Sequence, residues 1–326
     1  MIRSLRESHS VPVFEGDRSR GHRDVPVWKL AVEGGVGALR NRQALGSAEV
    51  FVQFIGFPRS GHSLIGSILD AHPRAVISHE LDAMGLFEKG LPARAIGALI
   101  LRNSAAFSAH GRWWNGFSYA VPGQPNGRAE KLRVLGDKKG DWAVRWFQQA
   151  PELLETVRRR TGGTCAWVLV TRHPLDNIAT MSLRKNRTYD KLRIAAEDSA
   201  AFRAQLAVAQ EAGAVASAAR DDMIDDYEGL CVGIERMQTA IPEAERLHVV
   251  YERFVKDPAG EIRDLCRFLD LDPDEAYVAA AASIVRDSPN QSRNAVSWTD
   301  AQRARVARLI DRFAFLAPYE DDAGAV

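Results

Sequence analysis

Gly56-Phe57-Pro58-Arg59-Ser60-Gly61-His62-Ser63 is the stretch most able to do chemistry. An apolar run, Val50 to Phe57, precedes it and reads as a buried strand. Ser63 to Leu69 follows with apolar residues at 64, 65, 68 and 69, which predicts a helix. A strand, a glycine-bounded turn and a helix start together cradle an anion. The first helical N–H groups lack intrahelical partners, and the helix dipole favours negative charge there. The glycine and serine spacing is that of the phosphate loop G-x-x-x-x-G-K-S/T. His62 stands where the lysine belongs, and the fixed positive charge lies inside the loop at Arg59.

A second polar constellation begins at Arg172, where the apolar run Ala166 to Thr171 ends. Pro174 suits the first turn of the next helix, since its missing N–H would be unpaired anyway. An arginine at a strand end suits an anion, whereas a nucleotide-hydrolysing protein would carry an aspartate for Mg²⁺. Other candidates at strand ends are His79-Glu80 and Asp137-Lys138-Lys139. Glu80 is a candidate base if partial burial raises its pKa toward neutrality. His79, and less readily His62, are rival bases, because imidazole titrates near neutrality.

Pro58-Arg59-Ser60-Gly61-His62-Ser63-Leu64, followed by Leu69-Asp70-Ala71-His72-Pro73, resembles the phosphosulfate loop of the sulfotransferases. The similarity is greatest to the tyrosylprotein-type and related bacterial branches, whose loop reads PRSGTTL and is followed by LDAHP. These enzymes use 3′-phosphoadenosine 5′-phosphosulfate (PAPS) and release 3′-phosphoadenosine 5′-phosphate (PAP). The resemblance implies that Arg59, Ser60, Gly61 and Ser63 hold the phosphosulfate, with His62 in the place of a threonine donor. Arg172 and Thr180 match the family's 3′-phosphate motif, an arginine and a hydroxyl eight positions on. Arg184 matches the further arginine of the tyrosylprotein-type branch, and Ser182 is a weaker candidate beside it. Glu80 lies seven residues after Pro73, where that branch has its catalytic base. Lys138 aligns with the GDK lysine that contacts the sulfuryl group in bacterial and carbohydrate-directed members; Lys139 does not. Arg293 falls in a basic late loop over the cofactor. Tyr251-Glu252 and the segment Leu265 to Leu271 resemble the family's later packing motifs. The resemblance covers roughly Val50 to Ala317 and requires no metal.

The elements that must carry these residues alternate. Val50–Phe57, Ala75–Ser78, Arg133–Gly136, Ala166–Thr171 and Leu247–Tyr251 read as strands, with helical patterns such as Trp142–Arg160 and Ile178–Leu183 between them. That order predicts an α/β fold, a three-layer α/β/α arrangement around a mostly parallel sheet, with a helical C-terminal part. Leu192 to Met237 reads as Ala-rich helix. The domain spans residues 50–326. Residues 1–49 read as an N-terminal arm, with a short helix between Val27 and Arg42. Arg112 to Gly127 is aromatic and then Gly/Pro/Asn-rich, which predicts a loop over the sheet's C-terminal edge. Its Trp113, Trp114, Phe117 and Tyr119 either stack on an acceptor or pack a lid.

Across 326 residues the formal net charge is +1, so nothing calls for nucleic acid or an acidic membrane surface. No signal peptide or membrane-length apolar run is evident, and three scattered cysteines suit a reducing compartment. The expectation is a cytoplasmic enzyme transferring a sulfuryl group from PAPS to an acceptor hydroxyl of a carbohydrate, small molecule or tyrosine. An oligomer is compatible with it. Two rivals remain at this level: a P-loop kinase or NTPase, and a non-catalytic adenosine-phosphate binder.

Overall fold

The computed structural model describes residues 14–15, 18–19, 25–114, 117–129, 131–186 and 217–320. Five parallel strands form the central sheet: β1 (Val50–Gly56), β2 (Ala75–Ser78), β3 (Val134–Asp137), β4 (Thr164–Thr171) and β5 (Arg246–Val250). Their spatial order is β2-β3-β1-β4-β5. The expected strands are all present, with ends shifted by two residues at most.

The strands read as apolar runs because both faces of the sheet are buried. In β1, Phe51 and Ile55 enter one apolar cluster, while Val52 and Phe54 enter the other. In β4, Cys165, Trp167 and Leu169 alternate in the same way with Ala166, Val168 and Val170. Helices cover both sides, giving three layers. On the first face lie α4 (Ala83–Glu88), α5 (Ala93–Ala109), α6 (Gly140–Gln149) and α7 (Leu153–Thr161). The second carries α3 (His62–Asp70), α11 (Pro258–Phe268) and α12 (Glu275–Ala282). The remaining described helices include α8 (Pro174–Lys185), α9 (Asp221–Ala240), α10 (Tyr251–Lys256) and α13 (Asp300–Arg312).

The helical expectations meet the structure as follows in three stretches. The pattern Trp142–Arg160 is two helices, α6 and α7, because Pro151 has no N–H to continue the ladder. Residues 27–46 hold the expected short helix and a second one after it. They form α1 (Val27–Arg40) and α2 (Arg42–Gly46), and Leu30 is fully buried. Gly34 and Gly37 let α1 lie close on α5, since an added Cβ would meet Ala95 and Ala98 at 2.9 Å. Of the Ala-rich stretch, residues 192–216 lie outside the described residues, and α9 accounts for most of the rest. No helix among the described residues is long and apolar enough to cross a membrane.

β1 sits centrally, between β3 and β4. After β1 the chain runs toward β2; after β4 it runs toward β5. The crevice between the ends of β1 and β4 is therefore a topological switch point, where open α/β sheets bind ligands.

Candidate active site

The loop after β1 turns through two left-handed residues, Arg59 (φ +72) and Gly61 (φ +109). No side chain caps the N-terminus of α3, leaving its first N–H groups available. Gly61 is needed for more than its φ. A Cβ there would run into the Tyr251 ring at the start of α10. Ser63 faces the cleft, whereas the Ser60 hydroxyl is buried and donates to Phe57 O at 2.9 Å. Ser60 can therefore offer a ligand only its backbone N–H.

His62 lines the cleft but supplies no fixed charge. Its Nε2 lies 3.2 Å from Ile55 O, and its ring packs edge-on to Phe54. Burial first, and Lys138 beside it, push its pKa down to about 4. Gly140 leaves room for the ring, since a Cβ there would meet Nε2 at 2.8 Å. The lysine position of a phosphate loop is thus filled by a neutral packing imidazole.

The loop after β2 carries His79 and Glu80. His79 stacks on Phe107 with ring centroids 3.9 Å apart. Burial drives its pKa well down, with Lys138 adding to the effect. Glu80 has φ +64 and pairs with both Lys138 and Lys139. Lys138 Nζ also donates to Ser63 Oγ at 2.9 Å, joining the two loops. The expectation of a raised Glu80 pKa is corrected here. Burial does work to raise it, but Lys138 and Lys139 prevail and hold the carboxyl well below its usual range. Burial lowers Lys138, against the pull of Glu80. Burial also opposes charge on Lys139, but Glu80 and Asp141 overcome it and raise its pKa.

Arg172 follows β4 and points into the crevice from the other side. It donates to Thr180 Oγ1 at 3.2 Å, Ser292 Oγ at 3.3 Å and the Asn290 carbonyl. Its Nε is buried with no hydrogen-bond partner among the described residues. Thr180 sits one helical turn beyond Asp176, whose carbonyl accepts its hydroxyl at 2.8 Å. Arg184 is half-buried and lines the cleft a turn further on. Ser182 is buried and accepts from Arg220 N at 3.1 Å, away from the cleft. Arg293 does not line the cleft. It is committed to Asp176 at 2.9 Å and to His173 at 3.0 Å, and so supports α8 from behind.

These groups meet in one cleft of about 380 Å³. It joins Arg59, Gly61, His62, Ser63, Glu80, Lys138, Arg172, Thr180 and Arg184. Ser60 and Arg293 stand outside. The aromatic segment contributes Trp114, Phe117 and Tyr119, with a two-residue antiparallel pairing of Trp113–Trp114 with Phe117–Ser118. Tyr119 is no base, because burial pushes its pKa up to about 12 although Arg59 pulls it down. Lys139, Asp141, Tyr251, Arg286 and Asn290 also line the cleft and were not chosen from sequence. Lys139 sits beyond the end of β3, so strand alternation no longer separates its direction from that of Lys138. Arg286 lies in an aperiodic stretch after α12, with its guanidinium 4.9 Å from the Phe117 ring centroid. The late loop expected around Arg293 was the nearest sequence signal to it.

The fold is α/β, and its cleft carries cationic groups at two separate places, one at the β1 loop and one at Arg172. Residues 166–275, from β4 into the start of α12, match the model of the sulfotransferase family. That stretch of the chain is similar to the sulfotransferase family. No curated protein matches the chain. Among solved structures it is similar to the sulfotransferase domain of the Synechococcus PCC 7002 olefin synthase, with 15% identity, 80% of this chain and 93% of that one covered, and a TM-score of 0.43. It is similar also to sulfotransferase STF9 from Mycobacterium avium, with 11% identity, coverage of 88% and 83%, and a TM-score of 0.45. Mouse sulfotransferase SULT7A1 complexed with PAP gives 12% identity, coverage of 90% and 96%, and a TM-score of 0.42. The similarity to sulfotransferases rests on the sequence match, and the architecture on the chain's own strand order.

Proposed function

We propose that the protein transfers a sulfuryl group from PAPS to an acceptor hydroxyl. The observation that carries this reading is the single cleft joining the β1 loop, the Arg172–Thr180 pair and the Lys138–Glu80 pair. The residues fit the nucleotide. Arg59, Ser63 and the unpaired N–H groups of α3 suit its phosphosulfate end. Arg172, with an orphaned Nε, suits its 3′-phosphate together with Thr180 and Arg184. Guanidinium forks match phosphate oxygens in bidentate fashion, so arginine is the apt residue. When bound, PAPS supplies an activated sulfuryl group and a phosphate leaving group.

Positioning and electrostatics dominate such displacements. Lys138 and Arg59 supply positive charge where oxygen charge grows. Glu80 is ionised and accepts the proton of the attacking hydroxyl at a carboxylate oxygen. Its low pKa means that it starts as a weak base held by two ammonium groups. Lys139 and Asp141 flank it and tune that basicity. Trp114 closes the cleft above Lys138, whose Nζ lies 5.7 Å from the ring centroid.

The kinase or NTPase reading loses its phosphate lysine to the neutral His62 and its metal aspartate to Arg172. A cytoplasmic location is in keeping with three unbridged, buried thiols, Cys165, Cys231 and Cys266. The acceptor class spans carbohydrate, small alcohol or phenol, and tyrosine. Calorimetry with PAP, AMP and ATP–Mg²⁺ tests the cofactor. PAP is expected to bind at least about tenfold more tightly than AMP, because its 3′-phosphate has its own anion site. Equal affinity for PAP and AMP would remove the second site, and tightest binding of ATP–Mg²⁺ would restore the kinase reading. Labelled PAPS with sugars, phenols, alkyl alcohols and peptides then identifies the acceptor.

A further inference from the structure

We propose that Asp137 is a positioning residue for Glu80: its buried carboxylate holds the loop from Ser78 to Ala83 so that Glu80 stands between Lys138 and Lys139. This rests on the reading of Glu80 as the base.

Asp137 ends β3 and is fully buried, opposite Ser78 in the parallel register with β2. One carboxylate oxygen accepts from Ser78 Oγ at 2.7 Å and from Leu81 N at 3.3 Å. The other accepts from Ala83 N at 2.9 Å. These three donors bracket Glu80 on both sides. The loop between them is unfavourable by itself. Glu80 and Asp82 hold φ of +64 and +67, a region that costs a non-glycine residue on the order of 1–3 kcal/mol. Such a conformation persists only where its surroundings over-determine it, and three hydrogen bonds to one anion do so. Burying a carboxylate is itself costly. Burial accordingly raises the Asp137 pKa, against the pull of the Ala83 N–H and the Ser78 hydroxyl.

The geometry has a second consequence. Asp137, Lys138 and Lys139 are consecutive, so one strand end supplies both the anchor of the loop and the two cations that Glu80 meets. Backbone continuity then fixes the carboxylate relative to its partners. Among the described residues, the charged and titratable groups facing Glu80 include Asp137 at the end of β3, Lys138 and Lys139 after it, Asp141 in α6, His79 from its own loop, and His62 from α3.

The test reads the Glu80 carboxyl directly, in protein carrying ¹³C at glutamate Cδ. The resonance missing in Glu80→Gln identifies it. In the wild-type chain it should titrate well below an ordinary glutamate. Asp137→Asn should raise its midpoint by about one pH unit or more, because the freed loop drifts from the lysine pair. The sign is informative. Removing a neighbouring negative charge without moving the loop would lower the midpoint. Should Asp137→Asn fail to fold, Ser78→Ala removes a single donor and should give a smaller rise. PAP affinity should stay within about threefold in either variant, since neither touches the anion sites.

A midpoint that is unchanged or lowered in a folded variant overturns the proposal. The two readings separate cleanly. Glu80→Gln with full sulfuryl transfer and a raised midpoint in Asp137→Asn would end the base reading and leave the positioning intact. An inactive Glu80→Gln beside an unmoved midpoint would do the reverse.

Discussion

Glu80 illustrates how a residue's neighbours define its chemistry. It is a carboxylate between two ammonium groups, one of which also holds Ser63 of the β1 loop. Glu80→Gln keeps the size and removes the proton acceptor. Single-turnover transfer should fall by about a hundredfold or more, while PAP affinity changes little. His79→Asn should be milder, because that ring is a buried, neutral packing partner of Phe107. The opposite ranking would make the imidazole the base. Arg172→Ala should weaken PAP binding by about tenfold or more and leave AMP binding nearly unchanged, read by calorimetry. Equal weakening of both nucleotides would instead indicate a general collapse of the crevice, since Arg172 also ties Thr180 to the Asn290–Ser292 turn. The types and spacing at Arg59, Glu80, Lys138, Arg172 and Thr180 were readable in the chain. The ionisation state of Glu80 was not, because the two lysines that hold it approach through space from another strand.

Elements hold the site through a few buried polar fixtures. Asp70, at the end of α3, accepts from Arg112 at 2.7 Å, Ser104 at 2.6 Å and Ile77 N at 2.7 Å. It thereby fastens α5, β2 and the base of the aromatic segment to one another. Arg112 is 2% exposed and Asp70 fully buried, so breaking this pair strands a charge. Asp70→Asn is expected to cost about 3 kcal/mol or more in urea unfolding, the usual penalty for an orphaned buried ion. Trp114 should become more solvent-exposed, seen as a red shift in its fluorescence. The β1 loop offers a second element-level check. Gly61→Ala forces a side chain into a left-handed turn already filled by the Tyr251 ring. PAP-induced thermal stabilisation should largely vanish, although the sheet itself is untouched. Loop, strand and helix around Gly61 were legible, because their signals are local. The packing of α1 on α5 was not, since its meaning lies in the Ala95 and Ala98 that meet Gly34 and Gly37.

For the molecule as a whole, acid should be destabilising in a defined window. Burial holds His62 near about 4, with Lys138 contributing, and His248 near about 4, with Arg253 contributing. An unfolded histidine titrates near 6.5, so between those values the unfolded state binds more protons than the folded one. Stability contributed by these rings is complete above about pH 6.5 and is lost as pH falls toward about 4. Glu80 adds a loss at still lower pH, as its depressed carboxyl is finally protonated. The melting temperature should therefore fall from pH 6.5 to pH 4, and less steeply in His248→Asn. An equally steep fall in His248→Asn would mean that this ring is not buried in its neutral form. At neutral pH, PAP at a hundred times its dissociation constant should add about 2.7 kcal/mol to stability by mass action.

The sequence by itself determined the parts whose signals are short-range. It carried the five apolar strands, the glycine-bounded loop, the arginine at the end of β4 and the helix that follows, each within a window of about a dozen residues. The spacing of polar residues at strand ends also sufficed to nominate most of the cleft, because parallel strands bring their C-terminal ends to one edge. Only tertiary structure decided which candidates share that cleft and in what state. Arg286 entered and Arg293 turned to Asp176, although both lie in the same basic late stretch. His62 became a neutral filler against Ile55 and Gly140, and Lys139 joined Lys138 on Glu80. Those outcomes depend on desolvation and on charges arriving from elements distant in sequence. Both fall off over a few ångströms of space, and no spacing along the chain encodes that distance.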